Sequence, residues 1–536
     1  MSRPSVSQAQ RWRPDSLREA ADAWDGAAYG LQVQVDVIVR GVQGSRDFWT
    51  GSAAESARDR AEAVAGAARR VARALVTAAV AARDGAEQMA QACDSVLAVL
   101  AEAGDGGFVV ADDGTASPPA APPALLTTLT GGDAGAARET LAVRAADLTR
   151  QIQGALDRLG AADADAARDI DEALAAAQPS AAATTRPAGA WPVNAAEVVA
   201  AWPAMSQDRI AAQVAAMTPE QRHRLIDEMP KQVGNTDGVP WDMRTAANRI
   251  NIANAILDED DHDRDANHRI AFYQGLLGEV DDPGRSGRRL DRQILAFDPD
   301  RSSLIELTGD LTTATGVAVL VPGLNTTVEG SAANTETARR FVAASRGDVA
   351  MITYLGGPFP AGNLVAGIVD AANPRYALDM APRLAAFSED VDRTVAATGR
   401  SVPVTYIGHS YGGSILGTAE ELGLTADRML FVEAAGAGIG VDDPGDRHNR
   451  NPDVLRFSMT APGDPIEAVQ GIPLGPHGAD PDGMAGVVRL ATGHRLDGRL
   501  MAGLGAHSDV VNEPSDAWRN ILAVITGDRD RLHEVS

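Results

Sequence analysis

The residues best equipped for chemistry lie in Gly408-His-Ser-Tyr-Gly412. This is a G-x-S-x-G pattern between the β-branched and aromatic run Val404-Thr-Tyr-Ile407 and an apolar stretch beginning at Ser414. A buried strand, a sharp turn and a helix are expected there, with Ser410 at the turn. Small residues on both sides of the serine let strand and helix pass close together. Backbone strain at such a turn is useful when the hydroxyl has to project toward a substrate. Ser410 is therefore a candidate nucleophile, and a serine nucleophile needs a base to take its proton and an acid to orient that base.

In the strand–turn–helix context the acid and then the base follow the serine along the chain. Asp464, in Ala461-Pro-Gly-Asp-Pro-Ile466, stands on a Pro/Gly turn just beyond an apolar run and is the expected acid. Glu433, at the end of the run Met429–Val432, is its rival. The expected base is His507 in Gly505-Ala-His-Ser-Asp509, on a loop between the last strand and the last helix. His494 in Thr492-Gly-His-Arg495 competes with it. The oxyanion of an acyl-transfer intermediate needs two backbone N–H donors. Tyr411, next after the nucleophile, should give one. Val321-Pro-Gly-Leu-Asn-Thr-Thr327 should give the other, Leu324 first and Asn325 next.

The elements that must position these residues begin near Arg292. Strands are expected at Gln293–Asp298, Ser303–Thr308, Val317–Val321, Val349–Tyr354, Val404–Ile407, Met429–Val432, Val454–Met459 and Val487–Ala491. Helices are expected at Thr335–Ser345, Arg375–Thr398, Ser414–Leu422 and Asp516–Thr526. Two hairpin-like strands followed by alternating strand and helix describe an α/β class, a mostly parallel sheet covered on both faces. That is the α/β-hydrolase layout. Residues 219–511 resemble a family of actinobacterial α/β-hydrolases of undefined function. The resemblance is carried by Asp291-Arg-Gln-Ile-Leu-Ala-Phe-Asp298, Val319-Leu-Val-Pro-Gly-Leu-Asn325, Gly408-His-Ser-Tyr-Gly412, Gly463-Asp-Pro465 and His507-Ser-Asp509, with Val233-Gly-Asn-Thr-Asp-Gly-Val-Pro240 and Ala247-Asn-Arg249 upstream. It implies the fold and a serine hydrolase, and it implies no substrate. An ester of a lipid or other acyl conjugate is the expected substrate class. The segment Gly436–Asp453 is a candidate cap or a plain loop.

The first half reads as helix. Leu17, Ala21, Trp24, Ala28, Leu31, Val35, Ile38 and Val42 form one apolar seam. Ala54, Ala57, Ala61, Val64, Ala68, Val71 and Leu75 open a second one, which runs to Leu100. Two seams joined by a short turn should fold into an antiparallel hairpin. With Trp49-Thr-Gly51 at its bend, this hairpin resembles the small Trp-X-Gly helical proteins of type VII secretion. Their export signal is a tyrosine with an acid four residues on; here Phe108-Val-Val-Ala-Asp112 stands in that place. A third seam, Leu141 to Leu159, could cover the hairpin; otherwise a second copy or a small helical partner would. Residues 104–133 and 175–190 read as Pro/Gly/Ala-rich linkers, and Val193–Met217 and Pro219–Met229 as helices. The resulting division is an all-α hairpin or bundle over 1–178, a linker and helical segment over 179–290, and the hydrolase domain over 291–536.

Bulk properties narrow the options. A net charge of −25 argues against nucleic acid and against charge-driven binding to an anionic membrane. The single cysteine, Cys93, allows no internal disulfide and no cysteine-based metal site. The acidic run Asp258–Asp265 lacks the glycine and glutamate of a calcium loop. No cofactor or metal is expected. Neither a Sec signal peptide nor a membrane-spanning run is visible, so a cytoplasmic protein or one exported by type VII secretion is expected. The competing functional class is an interaction protein that uses the hydrolase fold as a scaffold.

Overall fold

Eight short apolar runs of the second half, too continuous to face water, become the strands of one sheet. The computed structural model describes residues 3–177, 194–259, 265–284, 286–362, 373–470, 472 and 475–535. Its eight-stranded sheet consists of β1 (Gln293–Asp298), β2 (Ser303–Thr308), β3 (Gly316–Val321), β4 (Val349–Leu355), β5 (Val404–His409), β6 (Arg428–Val432), β7 (Leu455–Met459) and β8 (Val487–Arg489). The spatial order is β1-β2-β4-β3-β5-β6-β7-β8, and β2 pairs antiparallel with both its neighbours while all other pairs are parallel. This is the α/β-hydrolase fold expected from the sequence. The chain order reverses direction around β3 and β5, so the loops after these two strands open side by side at one sheet edge, where such folds bind ligands.

Both faces of the sheet are covered. On one, Ala338, Phe341 and Val342, together with Trp518, Ile521, Val524 and Ile525, bury against Leu320, Met351, Ile407, Leu430 and Met459. The Phe341 and Trp518 rings stack at 4.5 Å. These residues belong to α4 (Ala332–Ala344) and α8 (Asp516–Thr526). The opposite face carries α5 (Arg375–Ala397) and α6 (Tyr411–Glu421).

The compact unit holding this sheet comprises residues 188–252 and 265–536, so most of the helical segment expected to precede the hydrolase is part of the same body. A buried ionic cluster explains why. Asp390, on α5 and 2% exposed, accepts from the Gly238 N–H, the Trp241 Nε1–H and Arg244 Nη1, each at 2.8 Å. Arg244, 1% exposed, also donates to the Leu295 carbonyl on β1 at 2.7 Å. Burial of this much charge is sustained only by such complete pairing. Local readings also change here. The helix expected over Val193–Met217 is broken, among the described residues, into Ala195–Ala201 and Gln207–Ala215, because Pro203 interrupts the ladder and Ser206 caps a new start. Thr218 caps Pro219–Glu228 through a capping box with Gln221, as its spacing suggests. Pro230–Asn235 is helical, although residues 232–241 read as a run of turn formers. Residues 178–190 of the second expected linker and Trp191 lie outside the described residues, as does the middle of the acidic run, 260–264.

The other unit comprises residues 1–187 and 253–264. It contains α1 (Asp15–Gly44), α2 (Ser52–Asp105) and α3 (Ala134–Ala175). The hairpin forms, and α3 packs on the later half of α2, with Leu148, Ile152, Leu156 and Leu159 meeting Met89, Cys93 and Val96. Two expectations need correction. In α2 up to Arg73 the buried residues are Ala54, Ala65 and Ala72, while Val64 and Val71 are exposed. Alanine recurs on every face of this helix, so the contact goes to the face where the smallest side chains allow closest approach. Second, residues 104–133 are not a plain linker. Val109–Val110 pairs with Ala116–Ser117, Ala124–Leu129 is helical, and Phe108 and Ala116 are buried against the bundle. Trp49, at the hairpin bend, is 43% exposed.

Candidate active site

The turn after β5 puts Ser410 in a backbone conformation that residues with a side chain rarely adopt, φ 57° and ψ −124°. The glycines around it have specific tasks. A methyl group at Gly412 would lie 2.1 Å from the Val321 carbonyl oxygen, and one at Gly408 would lie 2.7 Å from the Gly412 carbonyl oxygen. Strand and helix thus cross too closely for any side chain at the two flanking positions. Gly323, on the loop after β3, passes so close that a methyl there would stand 3.0 Å from Ser410 Oγ.

Asp464 is placed on the turn after β7 and is 2% exposed. Its Oδ1 accepts the Ile466 N–H at 2.8 Å, and its Oδ2 lies 3.0 Å from His507 Nδ1. His507 differs from the expected loop residue: it occupies the first turn of α7 (Ala506–Asn512), a seven-residue helix. Ser410 and His507 both line one cavity of about 340 Å³. His494 lies elsewhere, 3.7 Å from Asp516 and outside that lining.

Tyr411 begins α6, so its backbone N–H sits at the helix N-terminus beside Ser410. Its side chain points into the fold, where the hydroxyl donates to the Asn373 carbonyl at 2.6 Å. Leu324 and Asn325 line the cavity with Gly323. The Asn325 N–H is already bonded to the Pro360 carbonyl at 2.9 Å, and its side chain both donates to and accepts from Gly362. Of the two loop candidates, Asn325 is thereby committed to holding the loop.

Three features go beyond the sequence reading. His409 donates through Nε2 to the His507 carbonyl at 2.7 Å, which fixes its tautomer. Burial, and then the nearby His507, push its pKa down to about 4, so it is a neutral strut beneath the candidate base. The motif's variable position gave no hint of this. Ser414 and His477 form a second Ser–His pair at 2.9 Å, but both are buried and neither lines the cavity. Glu433 ends β6 fully buried. With Asp464 and His507 it forms the one group of three metal-capable side chains among the described residues. A cation there would compete with His507 for the Asp464 oxygen that already bonds it.

The cavity lining is mixed: Leu324, Pro465, Ile466 and Val469 are apolar, whereas Asn325 and Asn334 are polar. Gly436–Asp453 contributes nothing to the lining. Its first residues are pinned inside the fold, since a methyl at Gly436 would lie 2.3 Å from the His477 carbonyl oxygen.

The family comparison agrees with this architecture. A family profile described as alpha/beta hydrolase matches residues 298–474. Two relatives from Mycobacterium tuberculosis, the uncharacterized proteins MT2140 (strain CDC 1551 / Oshkosh) and Rv2079 (strain ATCC 25618 / H37Rv), are each 28% identical over 249 residues. That similarity covers 39% of this chain and 36% of each relative, so the chain spans about a third of the length of the curated relatives it matches. Among solved structures, that of TT1662 from Thermus thermophilus is similar over 37% of this chain and 88% of its own, at 15% identity and a TM-score of 0.22.

Proposed function

We propose that the chain is a serine hydrolase of carboxylic esters, with Ser410 as nucleophile, His507 as general base and acid, and Asp464 as the group that orients His507. The match of residues 298–474 to the alpha/beta hydrolase family supports a hydrolase. The observation that carries the finer reading is the 3.0 Å contact of His507 Nδ1 with the buried Asp464 carboxylate, on a histidine that shares a cavity with Ser410. With its Nδ1 proton held by Asp464, His507 leaves Nε2 to accept the proton of Ser410 Oγ as that oxygen attacks the ester carbonyl. The negative charge passes to the carbonyl oxygen, for which the Tyr411 and Leu324 N–H groups are the donors. Collapse expels the alcohol, which takes its proton from His507, and leaves an acyl-serine. Water then repeats the sequence: it loses a proton to His507, attacks the acyl carbon, and releases the carboxylic acid as Ser410 recovers its proton. The cavity of about 340 Å³, lined by apolar residues with a few asparagines among them, suits an ester of short to medium acyl chain.

Against a scaffold-only role stands the strain at Ser410, which a turn without a reacting hydroxyl has no reason to retain. The test is labelling of the full chain with a fluorophosphonate probe. Labelling should vanish in Ser410→Ala and persist in Ser414→Ala. A folded wild-type protein that no such probe labels would refute the proposal.

A further inference from the structure

Glu433 is 0% exposed and has a left-handed backbone, φ 45°, at the end of β6. That conformation is unusual for a residue with a side chain, and it turns the carboxyl group toward the turn that carries Asp464. Glu433 Oε1 accepts the Ala461 N–H of that turn at 2.9 Å. Glu433 Oε2 is buried and finds no donor. A carboxylate oxygen of Glu433, one of Asp464 and a ring nitrogen of His507 all lie within 4.8 Å of one another. Both Asp464 oxygens already accept hydrogen bonds, from Ile466 and His507. Two ionised carboxylates in one dry site repel, and the orphaned Glu433 oxygen would carry the full cost of desolvation. One proton on Glu433 removes both penalties, since the acid then donates to a remaining lone pair of Asp464.

We infer that Glu433 is a positioning residue: its carboxyl group, held protonated, donates a hydrogen bond to Asp464 and fixes that carboxylate against His507. The inference rests on the serine hydrolase reading. It gives the two acids that compete for one role in the sequence two different roles, one ionised and one neutral. The groups facing Glu433 are Asp464 and the Ala461 N–H on the turn after β7, His507 on α7, and Asp482 from the segment before β8, itself paired with Arg489. Burial, followed by the Asp464 charge, raises the Glu433 pKa to about 9. The neutral donor therefore persists at neutral pH and is lost in mild alkali.

The experiment measures the rate of fluorophosphonate labelling of the full chain between about pH 6 and pH 10, for wild type, Glu433→Gln and Glu433→Leu. Glutamine keeps a donor toward Asp464 and an acceptor for Ala461; leucine keeps neither. The wild-type rate should fall above about pH 9, where Glu433 ionises. Glu433→Gln should stay within roughly threefold of wild type at neutral pH and lose the alkaline fall, while Glu433→Leu should slow labelling about thirtyfold, as expected when buried polar groups lose their partner. An unchanged alkaline fall in Glu433→Gln would overturn the inference. So would loss of labelling in Glu433→Gln as severe as in Asp464→Asn, since Glu433 would then be the acid of the triad. Should Glu433→Leu fail to fold, the Glu433→Gln profile still decides. Wild-type labelling separates the two levels of argument: its absence defeats the hydrolase reading and this inference together, whereas its presence with the wrong Glu433→Gln profile defeats this inference alone.

Discussion

Replacing Asp464 by asparagine changes one atom and should nearly silence the enzyme. The reason lies in which oxygen goes where. The Ile466 N–H, 2.8 Å from Oδ1, demands an acceptor at that position. An asparagine must therefore put its carbonyl oxygen there and its NH2 group at the Oδ2 position, 3.0 Å from His507 Nδ1. Two donors cannot face each other, so His507 moves its proton to Nε2 and can no longer accept from Ser410. The wrong tautomer in an intact site costs about 10⁴ in kcat for a Ser-His-Asp triad. At about 1.36 kcal/mol per factor of ten, this is about 5.4 kcal/mol of transition-state stabilisation. Asp464 does not line the cavity, so KM should change little. Initial rates on p-nitrophenyl butyrate, with circular dichroism to verify the fold, measure both quantities. An Asp464→Asn enzyme within roughly tenfold of the wild-type kcat would refute the argument.

Two other outcomes follow from the same geometry and from the helical unit. The pKa of His409 is lowered from 6.5 to about 4 in the folded chain, so the unfolded chain binds the extra proton between these values. Stability should rise with pH across that window and be lost as the pH falls through it; His409→Gln, which retains a donor toward the His507 carbonyl, should flatten the urea midpoint over about pH 4 to 6.5, and an unchanged slope would contradict the neutral-strut reading. We further propose that the hairpin pairs with a second copy through its uncovered residues Val33, Val37 and Val71; Val37→Asp should then weaken self-association of the full chain roughly tenfold or more in sedimentation, and a wild-type chain monomeric at about 100 μM would end that idea.

Much of the hydrolase half was legible because its signals are local and redundant. The central strands are apolar runs bounded by turn formers. Every residue of Gly316–Val321 and of Val349–Leu355 is buried, so period and length left little choice. The topology then puts the ends of β3, β5, β6 and β7 at one edge, which is why residues far apart in the chain, Leu324, Ser410, Glu433 and Asp464, could be grouped as candidates. What escaped was decided by tertiary contacts. α7 is seven residues long and rich in polar side chains, so no periodicity marks it, and His507 reads as a loop residue. His409 and Glu433 owe their environment to burial by other elements, which single-residue patterns do not encode. In the helical half, alanine on every face erased the distinction between inside and outside that places a seam.

That same alanine content has a thermal consequence. The contact of α1 with α2 near Ala21, Ala79 and Ala82 joins fully buried residues that each hide only a methyl group. Melting such a contact wets little hydrocarbon, and it is newly wetted hydrocarbon that gives unfolding its positive heat-capacity change, about 12–15 cal/mol/K per residue in ordinary domains. With only the partly buried Leu17, Trp24 and Ile170 packed around the three alanines, this stretch of hairpin should fall below that figure. Its stability curve against temperature should be correspondingly flatter than that of the sheet core around Phe341 and Trp518, where large apolar side chains are buried.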